Sequence, residues 1–362
     1  MSTDTLFASR APADAVPSVT IRRPDDWHVH LRDGAMLEAV LPFAANQFRR
    51  AIVMPNLVPP VTTVTMAQSY RARILAALPD GSDFEPLMTC YLTDHTDPDE
   101  IERGYRDGVW LAAKLYPAGA TTNSHAGVTS IAKLAPVLER MERIGMAVLV
   151  HGEATDPAID IFDREAAFME AEMLPLLQRH EGLKVVVEHA TTAETVDLVR
   201  AHAGRAACTI TPHHLVINRT SIFQGGLRPH LYCLPVAKRE RHRLALREAA
   251  TSGEACFMLG TDTAPHRRGA KEAECCSAGV FGGATALQTY VQVFDEEGAL
   301  DRFEAFASLN GARFHGLPVN EGTITLLKKP ATALAAVSVE DEDVVVFRGG
   351  EPLPWSIGDV RA

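Results

Sequence analysis

The sequence is short of positive charge and has no long apolar run. Lysine and arginine together number 35 against 46 aspartate and glutamate residues, so the formal net charge is −11. This balance argues against nucleic acid or an anionic membrane surface as a partner. No stretch approaches the roughly 18 apolar residues that span a bilayer, and no basic segment followed by an apolar core is visible. We therefore expect neither a nucleic-acid nor a membrane partner.

Cysteine is also scarce, and no pair has zinc-knuckle spacing. The six cysteines are Cys90, Cys208, Cys233, Cys256, Cys275 and Cys276. Most of them lie in or beside apolar runs, where a buried, reduced thiol is the ordinary state. This usage favours a reducing compartment, and we expect a cytoplasmic protein. Histidine is plentiful by contrast, with 14 residues and no histidine-rich tract.

Eight short apolar runs recur along the chain and alternate with amphipathic stretches such as 64–78 and 131–144. The runs lie at 26–31, 51–56, 86–93, 110–116, 147–152, 184–190, 206–212 and 256–262. Apolar runs of strand length that alternate with helices predict parallel strands buried on both faces. Eight of them predict an α/β fold, the (β/α)8 TIM-type barrel. We expect a lead-in segment at 1–20, the barrel at 21–325 and a C-terminal extension packed on it at 326–362.

Polar and ionisable side chains stand at the ends of most of these runs. They are His28, His30, Arg32, Asn56, Lys114, His151, His189, Asp262 and His266. The carboxyl ends of barrel strands meet at one rim, where such enzymes build their active sites. His28 and His30 are two residues apart, so on a strand both face the same side. Imidazoles joined by a carboxylate suit Zn²⁺, and the pattern predicts a metal site at this rim.

Seven segments in order resemble the dihydroorotases, and specifically the shorter bacterial, homodimeric type within the amidohydrolase superfamily. They are WHVHLRDG (27–34), AIVMPN (51–56), AAKLYPAGATTNS (112–124), VLVHGE (148–153), VVEHATT (186–192), RPHLYCLPV (228–236) and GTDTAPH (260–266). The likeness extends through about residues 21–325, which implies that the barrel is that of a metal-dependent amidohydrolase.

The resemblance implies two Zn²⁺ ions per subunit, held by His28, His30, Lys114, His151, His189 and Asp262. It also implies that Lys114 is carboxylated (N6-carboxylysine) and bridges the two ions together with a hydroxide. A carbamate is physically sensible at that position, because an ammonium group would be repelled by two dications. His213 and His214 end the seventh run, and we expect them to line the barrel mouth without a metal role.

The activity implied is reversible hydrolysis of the cyclic amide of (S)-dihydroorotate to N-carbamoyl-L-aspartate, in de novo pyrimidine (UMP) biosynthesis. Asp262 is the expected general acid and base. The expected substrate-binding residues are Arg32, Asn56, Thr121, Thr122, Leu234, His266 and Ala278. The resemblance implies that Arg32, Asn56 and His266 hold the substrate carboxylate, and a guanidinium fork suits a planar carboxylate. Residues 118–127, which are mostly small, are expected to form a lid.

Three alternatives remain open on the sequence. Another cyclic amidase, such as a hydantoinase or allantoinase, would use the same metal pair on an uncharged ring. A non-catalytic scaffold would keep the barrel and lose metal ligands, yet none of the six positions is missing. A phosphotriesterase-like or deaminase barrel would be expected to differ at Lys114 or Asn56. A homodimer is expected from the family resemblance alone.

Overall fold

The structure is a computed structural model, and it describes residues 16–361. The expected lead-in of residues 1–20 therefore lies largely outside the described residues. In the described part, no helix combines the length and the apolar character needed to cross a membrane.

Strands β1 to β10 precede the last helices of the barrel. They are β1 (Ser18–Arg22), β2 (Asp25–Val29), β3 (Arg50–Val53), β4 (Glu85–Leu87), β5 (Thr89–Tyr91), β6 (Ala112–Leu115), β7 (Ala147–Val150), β8 (Val185–Val187), β9 (Ala206–Ile210) and β10 (Phe257–Leu259). Six shorter or peripheral strands follow, namely β11 (Thr323–Leu327), β12 (Ala331–Thr332), β13 (Ala336–Val339), β14 (Glu342–Val345), β15 (Pro352–Leu353) and β16 (Ser356–Arg361).

Strands β2 to β10 form the predicted barrel. Parallel pairing runs in chain order from β2 to β4 and from β5 to β10. Strands β4 and β5 are two halves of one barrel strand, interrupted at Met88, and they pair with β3 and β6 respectively. The barrel closes between its first and last strands, where His30 N–H donates to Thr263 O at 3.0 Å and Asp262 N–H donates to His28 O at 2.9 Å. The (β/α)8 prediction is confirmed.

Helices surround this barrel. They are α1 (Gly34–Gln47), α2 (Val64–Ala76), α3 (Pro98–Arg106), α4 (Ala135–Ile144), α5 (Arg164–Phe168), α6 (Leu174–Arg179), α7 (Ala193–Ala201), α8 (Pro212–Val216), α9 (Arg219–Phe223), α10 (Glu240–Thr251), α11 (Arg268–Lys271), α12 (Ala286–Glu296) and α13 (Asn310–His315). The stretch predicted helical from residue 131 begins with a 3-10 turn, Ile131–Leu134. The α-helix starts at Ala135, because Pro136 has no N–H to donate and is tolerated only in a first turn.

The two ends of the described chain share a small antiparallel sheet. Strand β11 pairs with β1 on one side and with β16 on the other. The boundaries expected at residues 20 and 325 both fall inside these paired strands. The lead-in and the extension are therefore joined to each other by backbone hydrogen bonds beside the barrel.

Two layers of apolar side chains hold the barrel together. Inside it, Ile52, Leu149, Val186 and Met258 belong to one buried cluster. Outside it, a larger cluster fills the space between strands and helices. Because alternate strand residues face alternate sides, the inner set fixes which polar residues reach the mouth.

Candidate active site

The predicted polar side chains gather at the carboxyl ends of the strands. His28 lies in β2 with His30 just after it, Lys114 lies in β6, and His151 directly follows β7. Asn56, His189 and Asp262 follow β3, β8 and β10 within three residues. All these side chains are buried at one end of the barrel. The alternation of inward and outward side chains that fills the barrel interior therefore also places these polar side chains together at one end of the barrel.

Three residues of the site have a left-handed backbone. The φ angles are 59° at Arg32 and 44° at both His189 and Asp262. Such angles are uncommon for residues other than glycine, and they cluster at functional sites. At His189 the turn has a clear effect. Val186 faces the barrel interior, and strand alternation places Glu188, two residues later, on the same side. The same alternation would point the side chain of His189 outward. The positive φ accompanies a buried His189 beside the ring of His28.

Three potential metal ligands converge at the first strand. His28 Nε2 lies 3.2 Å from His30 Nε2, and both lie close to Asp262 Oδ1, at 3.2 and 3.1 Å respectively. Ligand atoms about 2.0–2.2 Å from a tetrahedral Zn²⁺ would be separated by about 3.3–3.6 Å. The three atoms therefore have nearly the spacing that a zinc ion requires, and the donor types are ones that zinc prefers.

Burial sets the protonation states of this cluster. It lowers the pKa of His28, and it lowers that of His30 to about 3, so both rings are neutral. Burial alone would raise the pKa of Asp262, but its interactions with His28 and His30, including their hydrogen bonds to its carboxylate, outweigh burial and hold that pKa well below its usual value. Neutral imidazoles and an ionised carboxylate are the forms that bind a metal.

The side chains predicted for the second ion lie beside the first cluster. The rings of His151 and His189 are 4.7 Å apart between centroids, and that of His28 is 5.0 Å from His189. Lys114 is fully buried and contacts the carboxylate of Glu188. Burial lowers the pKa of Lys114 well below its ordinary value. His28, Glu188 and His189 also offer ligand atoms close enough together to hold one ion.

Two glutamates of the site were missed by the sequence analysis. Glu188 Oε1 lies 2.9 Å from His28 Nδ1, and Glu153 Oε2 accepts a hydrogen bond from His151 Nε2 at 2.7 Å. The hydrogen bond to Glu153 favours one tautomer of the His151 ring. Glu188 Oε1 lies beside His28 Nδ1 without forming a hydrogen bond to it. The available signal was strand alternation: Glu188 is two residues beyond Val186, and Glu153 is two beyond His151.

The predicted substrate-binding residues lie around a central cavity above these clusters. Its lining includes Arg32, Asn56, Thr121, Thr122, Leu234, Asp262 and Ala278. His266 sits at its side, where its Nε2 donates to Ala278 O at 2.9 Å. Asn56 Oδ1 accepts from His30 Nδ1 at 2.9 Å, and its amide donates to Thr122 O at 3.2 Å. Asn56 thus contacts both a metal-ligand candidate and the expected lid.

Arg32 is the one cationic side chain in this lining, and its charge is not matched. Its Nε donates to Pro265 O at 3.2 Å. Among residues 16–361, no carboxylate lies within ion-pair distance of the guanidinium. Burial lowers its pKa, although Tyr116, Tyr70 and Asp262 oppose that shift. A part-buried guanidinium without a counterion is a site for an anionic ligand.

Comparison with known proteins agrees with this geometry. The model of the amidohydrolase family matches residues 21–341. A dihydroorotase of Synechococcus sp. (strain RCC307) is 59% identical over 345 residues, which cover 95% of this chain and 99% of the relative. The chain belongs to the amidohydrolase family and, within it, to the dihydroorotases. The resemblance predicted from the seven segments is confirmed.

Solved dihydroorotase structures share the whole fold. The crystal structure from Campylobacter jejuni superposes with a TM-score of 0.88 at 34% identity, covering 96% of this chain and 99% of that one. The Saccharomyces cerevisiae dihydroorotase in complex with 5-fluoroorotic acid also gives a TM-score of 0.88, at 30% identity and the same coverage. The dihydroorotase likeness therefore includes the terminal strands outside the barrel.

Proposed function

We propose that this chain catalyses the dihydroorotase reaction, the reversible hydrolysis of (S)-dihydroorotate to N-carbamoyl-L-aspartate in de novo pyrimidine biosynthesis. The observation that carries the proposal is the unmatched guanidinium of Arg32 in the same cavity as the converging ligands His28, His30 and Asp262. A cyclic amide that carries a carboxylate needs both features. The guanidinium would hold the ring through its carboxylate, and the metal held by the three ligands would act on the amide.

The proposal includes two Zn²⁺ ions. His28, His30 and Asp262 would hold one, and His151 and His189 the other, with a carboxylated Lys114 shared between them. The spacing of the first three ligand atoms and their neutral or anionic states support this assignment. When bound, the ions would supply the Lewis acidity that activates a water and polarises the ring carbonyl.

The side chains of the chain perform the remaining tasks. Asp262 accepts the proton released by the attacking water and passes it to the leaving ring nitrogen, so one residue serves as base and then as acid. Arg32 binds the substrate carboxylate and thereby orients the ring, with Asn56 and His266 beside it. Orientation of this kind converts a bimolecular attack into an effectively intramolecular one.

A hydantoinase or allantoinase reaction is the alternative that keeps the same ligands. An uncharged hydantoin ring would leave the part-buried guanidinium of Arg32 without an anionic partner, which is unfavourable for a charged group. The non-catalytic scaffold is disfavoured because all six ligand positions retain residues that bind metals. A homodimer and a cytoplasmic location remain predictions.

The direct test is to incubate purified, metal-loaded protein with dihydroorotate and with hydantoin, each with and without a chelator. We expect turnover of dihydroorotate alone, lost on chelation. Ring opening creates a second carboxylic acid with a pKa near 4, so its ionisation releases a proton. Near neutrality, the equilibrium should shift roughly tenfold toward hydrolysis for each unit of pH. Turnover of hydantoin in preference to dihydroorotate would contradict the proposal.

Arg32 provides a sharper test of the substrate class. Arg32→Met should raise KM for dihydroorotate at least about tenfold, because a charge-assisted contact to the carboxylate is lost. Arg32→Lys is the matched control, since it retains the charge without the guanidinium fork. Its KM should lie between those of the parent protein and Arg32→Met. Equal KM values for all three proteins would remove the carboxylate from the role given to Arg32.

A further inference from the structure

A second cluster of ligand-type side chains lies beside the central cavity. His213, His214 and Cys233 are all buried, and each offers a ligand atom within 4.8 Å of the other two. The histidines open helix α8 directly after β9, and Cys233 comes from the segment that follows the 3-10 helix Pro229–Leu231. The two histidines are not among the metal ligands expected from the sequence, and the proposed reaction uses none of the three side chains.

His213 has no partner that explains its position. Its side chain is fully buried, and neither ring nitrogen has a hydrogen-bond partner within residues 16–361. Burial lowers its pKa to about 4, so the ring is neutral and one of its nitrogens carries a free lone pair. An unpaired polar group in such a place is costly, and such groups in native proteins usually have a bound water or ion.

His214 is held so that one of its nitrogens faces the thiol. Its Nδ1 lies 2.8 Å from the hydroxyl of Thr211, and its Nε2 lies 3.4 Å from Cys233 Sγ. Nitrogen and sulfur ligands of one tetrahedral Zn²⁺ would be about 3.5 Å apart. The Thr211 contact resembles the hydrogen bonds that orient metal-binding histidines. Pro235 O lies 3.1 Å from Nε2 and is the competing partner.

We propose that His213, His214 and Cys233 form an additional metal site, separate from the proposed binuclear centre, for a borderline or soft divalent cation such as Zn²⁺. Two imidazoles and a thiolate select such ions over Mg²⁺ or Ca²⁺. On binding, the S–H bond of Cys233 breaks, the sulfur bonds to the cation and the proton passes to solvent.

The site has a structural consequence for the cavity. Cys233 and the adjacent Leu234 both belong to the cavity lining. A cation bound to all three ligands would link this wall to helix α8. Burial raises the pKa of the Cys233 thiol to about 12, and the nearby Asp262 and Glu153 act in the same direction, whereas Lys271 and Lys238 oppose them. The thiolate would therefore form together with cation binding, because the bound charge compensates it.

Cobalt substitution isolates this site from the proposed binuclear centre. A thiolate bound to Co²⁺ gives a sulfur-to-metal charge-transfer band in the near ultraviolet, whereas the other ligands are only nitrogen and oxygen. We would titrate metal-depleted protein with Co²⁺ in a Cys275→Ser/Cys276→Ser background, which removes the exposed thiol and its half-buried neighbour. We expect the band to appear together with a third bound cobalt per chain.

The variants identify the ligands. Cys233→Ser should abolish the band and the third equivalent, whereas Cys90→Ser, which removes another buried thiol, should retain both. His213→Gln keeps the thiol and should weaken cobalt binding at least about tenfold, as expected when one of three protein ligands is lost. It also decides the matter if Cys233→Ser fails to fold.

Two results would overturn the proposal. One is the absence of a thiolate band at saturating Co²⁺, which would mean that Cys233 does not bind a cation. The other is a band of unchanged strength and affinity in both Cys233→Ser and His213→Gln. None of these readouts depends on turnover, so a failure here is distinguishable from a failure of the proposed reaction.

Discussion

The two ends of the barrel differ in how their buried charged side chains are paired. At the base, where the strands begin, Asp25 binds Arg50 through two contacts, Oδ1 to Nε at 3.0 Å and Oδ2 to Nη2 at 2.6 Å. Asn320 Nδ2 donates to the same carboxylate at 2.8 Å. At the mouth, Arg32 has no carboxylate partner within the described residues, and the buried atoms His189 Nδ1 and Glu188 Oε1 lack hydrogen bonds.

This difference separates stability from function along one set of strands. The bidentate Asp25–Arg50 pair is satisfied within the chain, so it can hold its geometry without a ligand. Side chains that converge without full pairing are unfavourable until an ion or substrate completes them. Substitutions at the mouth should therefore change metal content and turnover, whereas those at the base should change the free energy of unfolding.

Lys114→Ala should have the largest effect. If the carboxylated lysine links the two ions, its removal takes away a shared ligand, and several kcal/mol of transition-state stabilisation are lost. We expect metal content and turnover to fall together, turnover by about 10⁴-fold or more. Short carboxylic acids should restore part of both. The exposed Lys133 supplies the control variant, Lys133→Ala, and two metals per chain with normal turnover in Lys114→Ala would contradict the assignment.

Asp262→Asn should come next and should separate chemistry from metal binding. The amide keeps an oxygen that can face the ion but cannot carry a proton at neutral pH. We expect metal content to be largely kept and kcat to fall about 10²–10⁴-fold, the usual contribution of a positioned acid and base. Metal analysis and steady-state kinetics on the same preparation test this. A variant that loses its metals in proportion to its activity would make Asp262 a ligand alone.

These positions were predictable because strand ends obey a simple rule. Buried apolar runs located the strands, and the residue that closes each run had to reach the mouth of a barrel. Glu188 was missed for a related reason. It lies inside the apolar run 184–190, and a left-handed turn at His189 lets these two successive residues face one site. Such a turn depends on tertiary contacts rather than on local preference.

The pairing of strands from the two ends of the described chain could also not be predicted from the sequence. Strand β1 finds its partner β11 some 300 residues away, from Ser18 opposite Leu327 to Arg22 opposite Thr323. No local turn connects the two segments, so nothing in either one identifies the other as its partner. The register of such a pair is set by which faces become buried. The split of one barrel strand at Met88 was equally invisible, since residues 86–93 read as one apolar run.

The expected lid, residues 118–127, should give a smaller effect. Thr122 Oγ1 donates to Ala278 O at 3.2 Å, so the segment already contacts the opposite side of the cavity. If Thr121 and Thr122 bind substrate, Thr121→Ala/Thr122→Ala should lower kcat about tenfold without changing metal content. Thr129→Ala, on the same connection but paired with Asp94, is the control. Proteolysis within 118–127 should also slow when dihydroorotate is present. A cleavage rate unchanged by the ligand would mean that the segment is an ordinary connection between a strand and a helix, and not a lid.

Arg50→Met should have the smallest effect on turnover and a large one on stability. It leaves the fully buried carboxylate of Asp25 without its cation, which typically destabilises a protein by about 3–5 kcal/mol. Arg22→Met removes an exposed partner of Glu304 and should cost less than about 1 kcal/mol. Denaturant unfolding of the metal-loaded proteins compares the two, and kcat should stay within about twofold of the parent because neither residue reaches the mouth. A large loss of turnover in folded, metal-loaded Arg50→Met would show that the base also positions the ligands, and the division between the two ends of the barrel would no longer hold.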